Sequence, residues 1–282
     1  MTDSMSQTDP TTPPRLMEIS TQRAITLARR WRWISNVAKV ALVAVAFCAI
    51  YFYEQGGGFV VVVGLFVLWT FVSSLGARTR RLALDAGEHI AAGEFDLAED
   101  RLTQSLASFS LARSTKQLGL QQLAMLRHAQ SRWSDAAALA RAFLAGRRAD
   151  ADADISSRLV LVESLLEMGD IDGVARELQS LSLRRLNLRQ TIMLTQLRLD
   201  FLARRGDFAS MFQQPQATVG LLELMPATPG MQCHALLALA AKRLEKPAWQ
   251  RWLVDRARLL GDVETLFESR PFLREVFEIP PA

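Results

Sequence analysis

Two apolar stretches constrain this chain more than any other feature: residues 34–53 and 59–75, joined by Glu54-Gln55-Gly56-Gly57-Gly58. The first holds 20 residues, which as a helix reaches about 30 Å, the thickness of a bilayer's hydrocarbon core. The second holds 17 and can lengthen through Gly76 and Ala77. Neither 40–53 nor 59–72 contains a charged side chain. A helix pair that is apolar all round belongs in lipid or deep in a large core. The remainder of the chain reads as amphipathic helices and offers no large apolar surface to cover such a pair. The expectation is an N-terminal two-helix transmembrane hairpin, 34–53 and 59–77, either fully spanning or re-entrant.

The flanks set its orientation. Residues 1–14, rich in Thr, Ser, Asp and Pro, read as a disordered tail. The first apolar run begins more than 30 residues in, without a cleavage context, so no signal peptide is expected. Residues 15–33 read as a basic amphipathic juxtamembrane helix. Its Arg23, Arg29, Arg30 and Arg32 would lie at lipid phosphates, with Trp31 and Trp33 at headgroup depth and Lys39 snorkelling back. Arg78, Arg80 and Arg81 follow the second run, while the turn carries only Glu54. The positive-inside rule then places both termini in the cytoplasm. The Ala, Leu and Arg bias points to a bacterial cytoplasmic membrane.

Beyond residue 78 the composition is that of a soluble all-α protein, with few β-branched residues and two tyrosines in the whole chain. The net charge of +4 is too even a balance to argue for nucleic acid. Cys48 and Cys233 form neither a disulfide framework nor a paired-thiol metal site.

Four short stretches resemble one another: Gly93-Glu94-Phe95, Ser131-Arg132-Trp133, Gly169-Asp170-Ile171 and Gly206-Asp207-Phe208, spaced by 38, 38 and 37 residues. Five residues after each first position stand Ala98, Ala136, Val174 and Met211, and seven before it stand Ala86, Ala124, Val162 and Leu199. Each unit reads as helix, tight turn, helix. The Gly ends the first helix, the acidic residue starts the second, the aromatic or Ile wedges between them, and the small residues permit close approach. Pro215 would cut the fourth unit's second helix short, and Pro215, Pro226 and Pro229 mark a longer connection. Residues 231–277 read as a fifth pair with a terminal cap, including a helix 248–260 after Pro247 and a further turn signal at Gly261-Asp262-Val263. Residues 278–282 read as a tail.

Ala86, Gly93-Glu94-Phe95, Ala98, Leu102 and Leu106, followed by Leu123, Ala124, Trp133, Ala136 and Leu144, resemble the tetratricopeptide repeat family. Val174 and Met211 depart from its small-residue pattern, and the period exceeds the family's 34 by three or four residues. The resemblance implies a TPR-like α-solenoid of about five helix pairs over 78–277, whose groove takes up a peptide or protein partner. The chaperone-carboxylate role known in that family does not carry over, because Ala83 and Gly87 occupy the corresponding places.

A search for chemistry yields no catalytic, cofactor-binding or metal site. No phosphate loop, Gly-x-Ser-x-Gly or His-Glu-x-x-His occurs. His89 and His128 fall on variable positions of repeat helices. Asp150, Asp152 and Asp154 imitate the start of a calcium loop, but Ile155 and Leu161 stand where Gly and Glu are required. They read as a solvated loop, with Asp154 capping the next helix. Arg184, Arg185 and Arg189 cluster, followed by Arg198, Arg204 and Arg205. They read as a solvated face with Leu183, Leu186 and Leu188 turned inward, or as a patch for a partner or lipid.

Together these features predict a membrane-anchored protein–protein interaction adaptor or scaffold: membrane lipid at the hairpin, a protein or peptide in the groove, no metal and no nucleic acid. The alternatives are a membrane-surface structural protein acting through lipid contacts, and an enzyme with an unrecognised site. Because no proline separates 73–77 from 78–92, the second span is expected to run straight into the first repeat helix, with Gly76 the place for a bend.

Overall fold

A computed structural model describes residues 20–53, 58–108, 110, 113–146 and 151–277, and the chain is all-α, with no strand among the described residues. The tail 1–14, residues 15–19, the turn 54–57, Asp150 and the tail 278–282 lie outside the description. The chain divides into two compact units, Met1–Val160 and Leu161–Ala282. The boundary falls inside a helix, where no proline, glycine or shift in composition marks it.

The first unit opens with two long helices. α1 (Thr21–Tyr53) and α2 (Gly58–Ala92) hold 33 and 35 residues, so each is about 50 Å long. No break separates a juxtamembrane helix from the apolar run: α1 passes through both. α2 likewise carries the second apolar run and the first repeat helix without interruption. The expected continuity from 59–75 into 78–92 is present, and Gly76 lies within the helix. Val40, Val43, Val45 and Phe47 of α1 and Val63, Phe66 and Val67 of α2 are exposed. Among the described residues no helix is long and apolar enough to cross a membrane. Several positions of both apolar runs, Leu42, Cys48, Leu65 and Trp69 among them, have side chains outside the description.

The unit continues with α3 (Phe95–Ala107), α4 (Arg113–Ala129) and α5 (Trp133–Leu144), and α6 (Ala151–Glu167) runs on into the second unit. α2 packs on α3 and α4 on α5, around Ala86, Ala98, Leu102, Leu123, Ala136 and Phe143. Burying each such leucine or phenylalanine contributes about 1.5–3 kcal/mol. Arg127 of α4 is wholly buried here. Its Nη2 and Nη1 lie 2.6 and 2.9 Å from Glu99 Oε1 and Oε2 on α3, and Nη1 also donates to Gln130.

The second unit comprises α7 (Ile171–Ser182), α8 (Leu188–Arg205), α9 (Phe208–Met211), α10 (Pro215–Leu222), α11 (Ala227–Arg243), α12 (Pro247–Leu260) and α13 (Val263–Ser269). A 3-10 turn (Pro271–Leu273) and α14 (Arg274–Phe277) follow. α11 is its centre, buried almost continuously from Gly230 to Ala241 and packed on α8, α9, α10, α12 and α14. Asp200 of α8, also buried, receives Arg270 at 2.6 and 2.9 Å and Arg204 at 3.3 and 3.4 Å, and so ties the C-terminal segment to α8.

One local geometry recurs five times. Gly93, Ser131, Gly169, Gly206 and Glu245 all have φ between 54° and 78°, at intervals of 38, 38, 37 and 39 residues. In each, the left-handed residue's N–H donates to the carbonyl three back, and the next N–H donates to the carbonyl five back, as in Glu94→His89 at 2.9 Å and Lys246→Ala241 at 2.9 Å. This is the Schellman closure of a helix C-terminus. The residue after it (Glu94, Arg132, Asp170, Asp207 or Lys246) has φ from −79° to −107° and ψ from 64° to 73°, and the next helix starts at once. Asp170 and Asp207 cap that helix through their carboxylates, at 2.9 Å to Gly173 N and 3.1 Å to Ser210 N, whereas Glu94 and Arg132 make no cap bond.

The fifth turn departs from expectation. It is made by Glu245 before Pro247, and Gly261, read as the turn signal, is in extended backbone at φ 171°. Two more readings are corrected. Pro215 starts a helix, α10, inside the expected connection, because its fixed φ suits a first helical position. Asp154 lies one turn inside α6, which begins at Ala151, and pairs with Arg158 at 3.1 Å instead of capping the helix.

Ser131 and Glu245 carry side chains in a conformation that costs an L-residue about 1–2 kcal/mol. Ser131→Gly is therefore expected to raise the thermal midpoint, and Gly169→Ala to lower stability by about 1 kcal/mol. Circular dichroism melts of the two variants in parallel test both signs.

Candidate binding site

The repeat positions singled out in the sequence fall at corresponding places. Ala86, Ala124, Val162 and Leu199 are buried in the first helices, and Ala98, Ala136, Val174 and Met211 in the second. Side-chain size rises at both positions together, from Ala and Ala to Leu and Met, so the later departures from small residues are matched across each pair. Phe95, Trp133, Ile171 and Phe208 are half-buried at the first position of the second helices.

The fourth unit is where this regularity fails. α9 is a single turn, ended at Phe212, and α10 starts afresh at Pro215. A cavity of about 300 Å³ opens between α8, α9 and α10, lined by Arg198, Leu199, Leu202, Gln213, Gln214 and Thr218. α10 also walls a second, more open cleft of about 450 Å³, where Gln216 and Val219 meet Ala248, Trp249 and Trp252 of α12. The indoles are held edge to face with centroids 6.0 Å apart, and Phe212 meets Trp249 the same way at 5.6 Å. Lys246 lies over the Phe212 ring at 4.6 Å. Trp252 is 46% exposed. Aromatic faces beside side-chain amides and a guanidinium suit an extended peptide, which needs apolar pockets for alternate side chains and donors or acceptors for its backbone. The signal in the sequence was the crowding of Pro215, Gln213, Gln214 and Gln216 where the repeat should continue.

In the first unit the N-terminal half of α1 packs on α4 and α5. Ala24 and Ala28 are buried, Thr21 Oγ1 donates to Asp135 Oδ1 at 2.7 Å, and Lys116 Nζ lies 5.2 Å from the Trp31 ring centroid. Lys116 donates to the carbonyls of Ser105 (2.7 Å), Leu106 (3.0 Å) and Ser108, closing the C-terminus of α3. Burial pushes its ammonium down to about 8. Burial alone would raise the Asp135 carboxyl, but bonds from Thr21 and Arg132 outweigh it and hold the group below its ordinary value. Trp31 thus packs on the repeats, whereas Trp33 is 70% exposed. Arg29, Arg30, Arg78, Arg80 and Arg81 are exposed, and the Arg32 side chain lies outside the description.

The three histidines are accounted for by packing. His89 pairs with Glu94 at 2.7 Å, His128 meets Trp133 edge-on at 5.0 Å, and buried His234 donates from Nδ1 to Gly230 O at 2.8 Å. Cys233 is buried and its thiol pushed up to about 12 by that burial. No group of three or more metal-ligating side chains occurs among the described residues. Arg204 belongs to the Asp200 network and pairs with Glu167 at 2.5 Å. The leucines beside Arg184, Arg185 and Arg189 correct the sequence reading: Leu183 is 85% and Leu188 59% exposed, so they are not turned inward, and only Leu186 is half-buried. Leu183 caps the C-terminus of α7 and Leu188 opens α8, so both fall at the ends of helices and not on a packed face. The chain matches no family model, no curated protein and no solved structure.

Proposed function

We propose that this chain is a membrane-anchored adaptor: a two-span hairpin formed by the apolar runs of α1 and α2, carrying a TPR-like array that binds a protein segment. One observation carries the reading. α2 is a single helix whose first half exposes Val63, Phe66 and Val67 and whose second half ends in the first of five recurring turns. Tether and array therefore share one backbone. Exposed apolar side chains grouped in this way on a folded chain call for lipid or a partner to cover them. Basic residues before the first apolar run and after the second favour the arrangement with both termini in the cytoplasm.

The partner site we assign is the broken fourth unit. Trp249 and Trp252 would take an apolar side chain, and Arg198, Gln213 and Gln214 would hold the backbone or a carboxylate of an extended segment. Confinement to the membrane raises the partner's effective concentration there.

The test is alkaline carbonate extraction of membranes from expressing cells, followed by capture of partners from detergent extract. The chain is expected in the carbonate-resistant pellet, and release into the supernatant overturns the anchor. Trp249→Ala with Trp252→Ala is expected to abolish the capture seen with the native chain. Undiminished capture overturns the assigned site. A reporter active only outside the cytoplasm, fused at Ala282, is expected to be silent, and activity there overturns the orientation.

A further inference from the structure

The cavity between α8, α9 and α10 differs in chemistry from the cleft at Trp249 and Trp252. Its volume of about 300 Å³ lies at the small end of the range for ligand sites, about 300–1,000 Å³. Its apolar side is formed by Leu199, Leu202 and Met211, all buried. Three hydroxyls line it, and each already spends its proton within the chain. Thr195 Oγ1 donates to Thr191 O at 2.8 Å, Ser210 Oγ to Asp207 Oδ2 at 2.8 Å and Thr218 Oγ1 to Gln214 O at 3.0 Å. A hydroxyl has one proton, so all three can only accept from a ligand. Arg198 is the one charged side chain lining the cavity, and it makes no ion pair or hydrogen bond among the described residues. Its guanidinium can only donate, while the amides of Gln213 and Gln214 can do both.

We infer that this cavity binds a free amino acid with an apolar side chain, its carboxylate on Arg198 and its ammonium on the hydroxyl oxygens. Guanidinium and carboxylate form a charge-assisted pair. An ammonium brings three protons and no acceptor, the complement of three hydroxyls that can only accept. Behind one of these stands the Asp207 carboxylate, which draws the Ser210 proton and so strengthens that oxygen as an acceptor. The aliphatic part falls to Leu199, Leu202 and Met211. Inorganic phosphate, chiefly an acceptor, would satisfy Arg198 but set its own oxygens against the hydroxyl lone pairs. An amine without an acid would meet the guanidinium uncompensated. The inference rests on the broken fourth unit as the binding site, and narrows what Arg198, Gln213 and Gln214 hold there.

Isothermal titration of leucine, valine and methionine into the full chain in detergent tests it. At least one is expected to bind. Its amide, which lacks the carboxylate, and its deaminated acid, which lacks the ammonium, are each expected to bind at least about tenfold more weakly, the loss of one charge-assisted bond. Arg198→Ala is expected to weaken the amino acid by the same factor, to leave its amide unaffected and to keep the native helical circular dichroism. Trp249→Ala with Trp252→Ala is expected to leave the titration unchanged. Binding of none of the three overturns the inference, and so does an amide or a deaminated acid that binds as well as the amino acid. The N-acetylated amino acid imitates the last residue of a protein and is expected to bind more weakly. Tighter binding overturns the free ligand and gives the cavity to the end of a partner chain. The titration needs neither bilayer nor partner, so its failure leaves partner capture to be judged on its own, and failure of capture leaves the titration standing.

Discussion

Asp200→Ala is expected to cost the second unit about 3–5 kcal/mol, because it strands the guanidinium of Arg270 in a buried setting and weakens the hold on Arg204. Asp200 is 4% exposed and takes both Arg270 nitrogens, at 2.6 and 2.9 Å. The side-chain oxygen of Gln232 accepts from Arg270 too, so the arginine is held from α8 and α11 together. With the carboxylate gone, Arg270 must find water, and the route is outward. The 3-10 turn and α14 move with it and uncover Leu273 and Val276, both now buried. The result to look for is limited proteolysis within 262–277 together with a depressed thermal midpoint. A variant as protease-resistant as the native chain would show that the apolar contacts of Leu273 and Val276 hold the cap alone.

Glu99→Ala is expected to act on the first unit with similar force. Arg127 is fully buried, and Glu99 takes both of its terminal nitrogens, at 2.6 and 2.9 Å. Removing the carboxylate breaks a buried ion pair from one side, which costs about 3–5 kcal/mol. Replacing both partners by apolar residues of similar volume removes the need for compensation. Glu99→Leu with Arg127→Met is therefore expected to recover most of the loss. Thermal melts of the single and double variants in detergent decide it. If the double variant is no more stable than Glu99→Ala, packing of the arginine stem outweighs the ion pair.

These two networks lay beyond reach of the sequence, since nothing in the spacing of Asp200 and Arg270, or of Glu99 and Arg127, distinguishes them from solvated charges. The repeat turns were different. Gly93, Gly169 and Gly206 each supply the residue that tolerates left-handed backbone without strain, and each is followed by an acidic residue. That chemistry is local, so it survives in the order of residues. Glu245 escaped notice because its conformation is imposed by closure of α11 and by Pro247, which cannot continue the preceding helix. Gly261 imitated the signal without the geometry. The candidate site was visible only as an irregularity. Pro215 announced that the pattern stopped, but the cavity it leaves depends on how α10 packs against α8 and α11.

The shared helix has a mechanical consequence. α2 is about 50 Å of unbroken helix, and α1 returns alongside it to grip α4 and α5 through Thr21, Ala24, Ala28 and Trp31. A single helix could swivel about its own axis. Two helices clamped at separate points on the same unit cannot. If the apolar runs of α1 and α2 lie in a membrane as proposed, a change in tilt there would turn α3, α4 and α5 with it, because both helices continue into the packing of those elements.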